Sequence, residues 1–198
     1  MLVSGTHPSI APGYRPFVTF DVLDDDREAA LFADFWAWLT DVRRTAADAG
    51  LSLRAYCHSG ESAENRQLRS ACRRFEGRPG IPALDEVNEF LGSAQWVDMR
   101  HVVSTQLLTP FGTGLKALAT YAGFTWRDDD PGGEQSLAWY ELATVHPDAS
   151  VRAENQHRVL EYNEDDCRAT RHLREWLERE GPSLQALEDF DGPESRRG

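Results

Sequence analysis

Two short stretches hold residues able to do chemistry. One is the run Glu161-Tyr162-Asn163-Glu164-Asp165-Asp166; the other is AYCHSGESAEN, residues 55–65, with Glu61 and Glu64. Tyr162 and Asp166 are four residues apart, so on a helix they stack one turn above the other. At 3.6 residues per turn, Val159, Tyr162, Asp166, Ala169, Leu173 and Trp176 share one stripe. Asp166 is therefore expected among apolar residues, whereas Glu161, Glu164 and Asp165 are expected to face water. An ionised carboxylate taken from water needs an arginine, a set of hydrogen-bond donors or a metal ion; otherwise it shifts its pKa. The pattern leaves those three outcomes open.

The elements that must carry these residues are legible as alternating periodicities. RPFVTFDVL (15–23) alternates like a strand with one apolar face. Asp25 and Glu28 are spaced as a capping box, and an amphipathic helix follows through Leu31, Phe32, Phe35, Trp36, Leu39 and Val42, stopped by Gly50. LSLRAYCHS (51–59) reads as a second strand and AENRQLRSACRRF (63–75) as a helix. Glu61 then lies in the turn after the strand, and Glu64 opens the helix, where α/β sheets build their sites. Helices follow at 83–92, 115–123 and 136–144, with WVDMRHVVSTQLL (96–108) starting extended and continuing as a helix. The last helix spans about Val151 to Glu180. Residues 1–180 form one domain and 181–198 a tail. Strand–helix–strand order implies an α/β fold, a sheet covered by helices.

Composition narrows the function. The net charge of −12 argues against a general nucleic-acid coat, which needs excess cation. It leaves room for a nuclease, whose site is itself acidic. No apolar run approaches the roughly 20 residues of a membrane span, and no signal peptide is seen at the N-terminus. Cys57, Cys72 and Cys167 are odd in number and far apart, as for reduced thiols of a cytoplasmic protein. Arg66, Arg69 and Arg73 share a helical face, with Arg74 and Arg78 near, and are candidate nucleic-acid contacts together with Lys116. Gly112-Thr113-Gly114-Leu115-Lys116 lacks phosphate-loop spacing and reads as a turn into a helix. The acids of Trp126-Arg127-Asp128-Asp129-Asp130 read as an exposed loop, with cation binding as the alternative.

The order of these pieces resembles the ribonuclease-H-like exonuclease domain of the DEDD superfamily, in its tyrosine form, as in the C-terminal part of predicted RecB-family nucleases. The likeness runs from about Gly13 to Glu178. It is carried by LEYNEDDCRATRHLREWL, a Tyr-Asn-x-x-Asp helix, and by the Gly-Leu-Lys helix at residues 114–116. The resemblance implies a ribonuclease-H-like mixed sheet flanked by helices. It also implies four carboxylates holding two divalent cations, Mg²⁺ or Mn²⁺, which bind a phosphodiester and activate water. Asp166 matches the third-motif metal ligand, Tyr162 its tyrosine, Glu64 the second-motif acid and metal ligand, and Asp98 an accompanying acid of structural or outer-sphere role.

The first motif, Asp-x-Glu on the first strand, is not found: Leu23 stands where a glutamate would follow Asp21. Asp21 itself is expected on the solvent side of a later strand, with LVSG as a remnant of the strand before it. The N-terminal strands are thus expected to be truncated and the missing acids to come from an N-terminal segment or a partner nuclease or helicase region. The implied substrate is nucleic acid, DNA ahead of RNA, cut 3′ to 5′. The other reading of the same fold is an inactive module that binds nucleic acid or a protein.

Overall fold

The computed structural model describes residues 1–5, 7–128 and 133–184. Helix α1, Asp25–Asp48, buries Phe32, Trp36 and Leu39 at the spacing the sequence displays. Its cap falls one residue earlier than expected: the Asp24 carboxylate accepts the Arg27 N–H at 2.8 Å. No capping box forms, because Arg74 takes the carboxylates of both Asp25 and Glu28.

Strand β3, Ala55–Cys57, pairs in parallel with β4, Trp96–Asp98, with Cys57 opposite Asp98. Only three residues of the 51–59 stretch therefore enter a ladder. Between the two strands run α2, Glu64–Arg74, and α3, Leu84–Leu91. Strand alternation sends Ala55 and Trp96 to one side, against Trp36, Cys72, Val87 and Phe90 from the first three helices. Tyr56 and Val97 go to the other side. There they meet Met99 and Val103 of α4, Met99–Gln106, and Leu118 of α5, Leu115–Tyr121. Leu173 of α7, Ala149–Glu180, closes this second core. The result is a mixed α/β fold in which a small parallel sheet is sandwiched by helices. Helix α6, Gly133–Val145, lies along α7. No described helix is long and apolar enough to cross a membrane. All three cysteines are free.

The 15–23 segment corrects the sequence reading, since none of its residues joins a ladder. Its alternation is used differently. Phe17 packs edge-on against Phe35 at 5.3 Å, and the Thr19 carbonyl accepts the Tyr140 hydroxyl at 2.9 Å. Side chains of α1 and α6 thus flank the segment where a neighbouring strand would have to lie. Asp21 is exposed, as expected. Leu2–Val3 (β1) does form a strand, antiparallel to Gly13–Tyr14 (β2). The Tyr14 hydroxyl donates to Asn163 Oδ1 at 2.9 Å, docking this hairpin on α7. After α7, Gly181–Ser183 form one 3₁₀ turn; residues 185–198 of the expected tail lie outside the described residues.

Candidate active site

Two groups of functional side chains form on either side of one loop. The first sits at the carboxyl ends of β3 and β4. Cys57, Gly60, Glu64, Asn65 and Asp98 gather there because the parallel register sets Cys57 beside Asp98 and the following turn brings α2 back over both. Asp98 caps α4 by accepting the Arg100 N–H at 2.9 Å, a structural role for that acid. Burial, then the charges of Glu64 and Asp98, push the Cys57 thiol up to about 12. His58 is buried, with Nε2 on the Thr113 carbonyl at 2.9 Å, and burial holds its imidazole below the ordinary value. Three buried atoms here have no hydrogen-bond partner: Glu64 Oε2, Asn65 Oδ1 and His58 Nδ1.

The second group is built on α7. Asp166 lies on the stripe read from the sequence, between the Tyr162 hydroxyl one turn earlier and Trp126, whose Nε1–H donates to Oδ1 at 3.3 Å. Burial raises the Asp166 carboxyl above its ordinary value; the Trp126 N–H, the Lys116 charge and the Tyr162 hydroxyl oppose that. Tyr162 is pushed up to about 12, by burial first and then by Asp166. It therefore stays a hydrogen-bond donor at neutral pH. Lys116 Nζ stands 5.5 Å from the Tyr162 ring centroid.

The joining loop is Gly112-Thr113-Gly114. Gly112 takes φ +77°, which favours glycine, and Gly114 caps α5. Thr113 contacts His58 through its carbonyl and Arg100 through its hydroxyl, at 3.2 Å from Arg100 Nε. Two residues past Gly114, Lys116 faces Tyr162. The loop so bridges the strand-tip group and the α7 group.

Several sequence expectations need correction here. Asp165 is 4% exposed and does not face water. Arg127 engages it through its backbone N–H at 2.8 Å and its Nε at 2.9 Å. The same guanidinium reaches the Glu161 carbonyl and the Glu164 carboxylate, each at 2.9 Å. The acids beside Asp166 are thus neutralised by an arginine 34 to 38 residues away in sequence. The loop read as exposed acids is instead a clamp through Trp126 and Arg127, and Asp128 pairs with Arg158 at 2.7 Å. Asp129 and Asp130 lie outside the described residues.

On α2, Arg69 is held by Asn88 and Glu61, while Arg66 and Arg73 are exposed. Arg74 and Arg78 are bound to the start of α1 rather than added to that face. The spacing Asp-x-Glu does occur at Asp26 and Glu28, but in the first turn of α1, where Arg78 and Arg74 occupy both acids. Trp126, Arg127 and Asn65 were not singled out from the sequence. The one signal available was that a tryptophan and an arginine head an otherwise polar loop.

A family model described as RNase_H superfamily matches residues 18–178. The chain belongs to the RNase H superfamily. No curated protein and no solved structure gives a significant match. RNase H-like domains have a nuclease-type fold, and RNase H-like nucleases generally use divalent metals. In this RNase H-like domain the donor chemistry is a partial fit to such an ion. Glu64 presents a carboxylate oxygen without a partner, and Asp166 a carboxylate met only by neutral donors and one lysine charge. Among the described residues, however, no three His, Cys, Asp or Glu side chains converge as a metal cage.

Proposed function

We propose that this chain is a metal-dependent nuclease domain of the tyrosine-type DEDD class, akin to the C-terminal part of RecB-family nucleases. It hydrolyses phosphodiester bonds from the 3′ end of DNA in the reducing interior of the cell. The observation that carries the proposal is the environment of Asp166. A half-buried carboxylate on α7 is met by a phenol, an indole N–H and a lysine, while Arg127 takes up its neighbours Asp165 and Glu164.

Asp166 and Glu64 would hold the cation, which when bound supplies phosphate polarisation and an activated water. Tyr162, protonated at working pH, orients a water or a phosphate oxygen by donating its O–H. Lys116 supplies a fixed positive charge beside the same carboxylate. Arg66 and Arg73, exposed on α2, are contacts for the substrate strand. With only two of the four expected acids matched, hydrolysis by this chain alone is slow, and a partner nuclease or helicase region that carries the first motif raises it.

The second reading, an inactive module that binds nucleic acid or protein, is favoured by the lack of a three-ligand cage among the described residues. One experiment separates the two: thermal unfolding with increasing Mn²⁺, alongside release of nucleotides from 3′-labelled single-stranded DNA. Occupancy at 100-fold excess over Kd stabilises by about 2.7 kcal/mol, and Tyr162→Phe then slows nucleotide release. An unchanged midpoint at millimolar Mn²⁺ with no hydrolysis refutes the nuclease reading.

A further inference from the structure

Residues 16–23 carry the alternation of a strand and join no ladder among the described residues. Their backbone is used at two places: the Asp21 N–H donates to Thr19 Oγ1 at 3.2 Å, and the Thr19 carbonyl accepts the Tyr140 hydroxyl. Helices α1 and α6 thus take the side of Phe17 and Thr19, while the N–H and C=O groups of Val18, Phe20 and Val22 meet no described partner. Unpaired groups of this kind are a template for another strand, which folded proteins ordinarily blunt with charge, a bulge or a cover. Phe17 to Phe20 carry no charge, and beside them lies an opening. A cleft of about 570 Å³ is lined by Val18, Phe20 and Val22, by Thr144 of α6, and by Arg152 and Gln156 of α7. Its rim is apolar: Val22 is 68% exposed, Leu23 48%, and Val145, next to Thr144, 59%. Single exposed apolar residues are ordinary, but several around one concavity mark an interaction surface. Arg152 gives the cleft a positive charge. Its Nη1 donates to the carbonyls of His146 at 2.6 Å and Pro147 at 3.1 Å, which fixes the guanidinium at the turn between α6 and α7. No described carboxylate pairs with it, and Asp21, also on the cleft, lies 3.8 Å from Arg27 instead.

We propose that this cleft is the docking site for a β-strand of a partner protein, a segment with apolar residues at alternate positions and a carboxylate placed for Arg152. The incoming strand pairs its backbone with Val18, Phe20 and Val22. Main-chain pairing of this kind supplies affinity, and the side chains at alternate positions supply selectivity. Here the apolar side chains of the strand cover Val22 and Val145, and its acid takes a charge-assisted hydrogen bond from the guanidinium. A second copy of this chain is the poorer occupant. Each copy carries a net charge of −12, and Asp21 with Asp24, Asp25 and Asp26 brings like charge to the shared edge. The proposal goes beyond the nuclease reading and stands without it, since Gln156 lies roughly 15 Å along α7 from Asp166.

The test is fluorescence anisotropy of a short labelled peptide of alternating valine and threonine with one central glutamate, titrated with the full chain. The peptide binds saturably, and the same peptide methylated at every backbone nitrogen does not, because it has lost its pairing donors and kept its side chains. Glutamine in place of the central glutamate weakens binding on the order of 10-fold, as for loss of a hydrogen bond to a charged group. Arg152→Gln cancels that preference between the two peptides, and Val22→Asp weakens both. Far-UV dichroism confirms folding; should Arg152→Gln disturb the turn between α6 and α7, the exposed Val22→Asp and the methylated peptide decide. A parent peptide that does not bind, or a methylated one that binds as tightly as its parent, overturns the proposal. So does a dimer in analytical ultracentrifugation that Val22→Asp dissociates, which assigns the face to a second copy of this chain.

Discussion

Replacing Arg127 by methionine keeps most of the side-chain volume and removes the guanidinium. Its main partner, Asp165, has a side chain only 6% exposed, with Arg127 Nη2 at 2.7 Å and Nε at 2.9 Å. Removing one partner of a buried pair leaves an uncompensated charge and costs about 3–5 kcal/mol. Two features reduce that figure. Arg127 is itself 40% exposed, so water can enter where it stood, and its backbone N–H still serves Asp165 at 2.8 Å. A loss of about 2–3 kcal/mol is therefore expected. For a chain of 198 residues this corresponds to a fall in Tm of about 5–10 °C. Thermal unfolding followed by dichroism reads it directly. The control is Arg168→Met, which removes an exposed pair with Glu164 four residues before it, worth about 0.3–0.5 kcal/mol. A fall for Arg127→Met no larger than that of the control would show that Asp165 does not depend on the guanidinium.

Asp166→Asn is expected to reduce hydrolysis on the order of 100-fold or more, the scale on which loss of one preorganised electrostatic group acts, while the protein remains folded. Burial raises the Asp166 carboxyl, so its ionised form opposes folding at pH values above the folded-state pKa, and the opposition disappears as the unfolded carboxyl also protonates. The asparagine variant should therefore match or exceed wild-type stability near neutral pH, with the gap closing in acid; denaturant unfolding at both pH values checks this. Cys57, 5% exposed and pushed up to about 12, should resist alkylation at neutral pH until the chain unfolds. Peptide mapping after iodoacetamide treatment, with and without denaturant, measures it, and rapid native labelling contradicts the burial described.

Much of this molecule was legible from periodicity. The apolar spacing of α1 and α7 and the extended-then-helical turn of residues 96–106 are local properties, and the observed elements follow them. The inward stripe with Tyr162 and Asp166 follows in the same way. Failures came where a distant partner decides. Residues 15–23 have the alternation of a strand, yet a ladder needs a neighbour, and the side chains beside Phe17 and Thr19 come from helices. Asp165 looks solvated on a helical wheel because nothing local reveals an arginine from a loop 38 residues earlier. In the run Asp24-Asp25-Asp26 each residue is a good cap by type, and the contacts of Arg74 and Arg78 with the other two distinguish them.

The two contacts of the 124–128 loop, Trp126 to Asp166 and Arg127 to Asp165, address consecutive residues of a 32-residue helix. Successive positions on an α-helix differ by about 100°, so a cylinder of that length could pack on its neighbours at more than one angular setting. A slip of one residue would exchange the two aspartates, presenting Asp165 to the indole and Asp166 to the arginine. The paired indole and guanidinium act as an indexing key, and which acid meets the indole and which the arginine is decided there rather than by helix propensity.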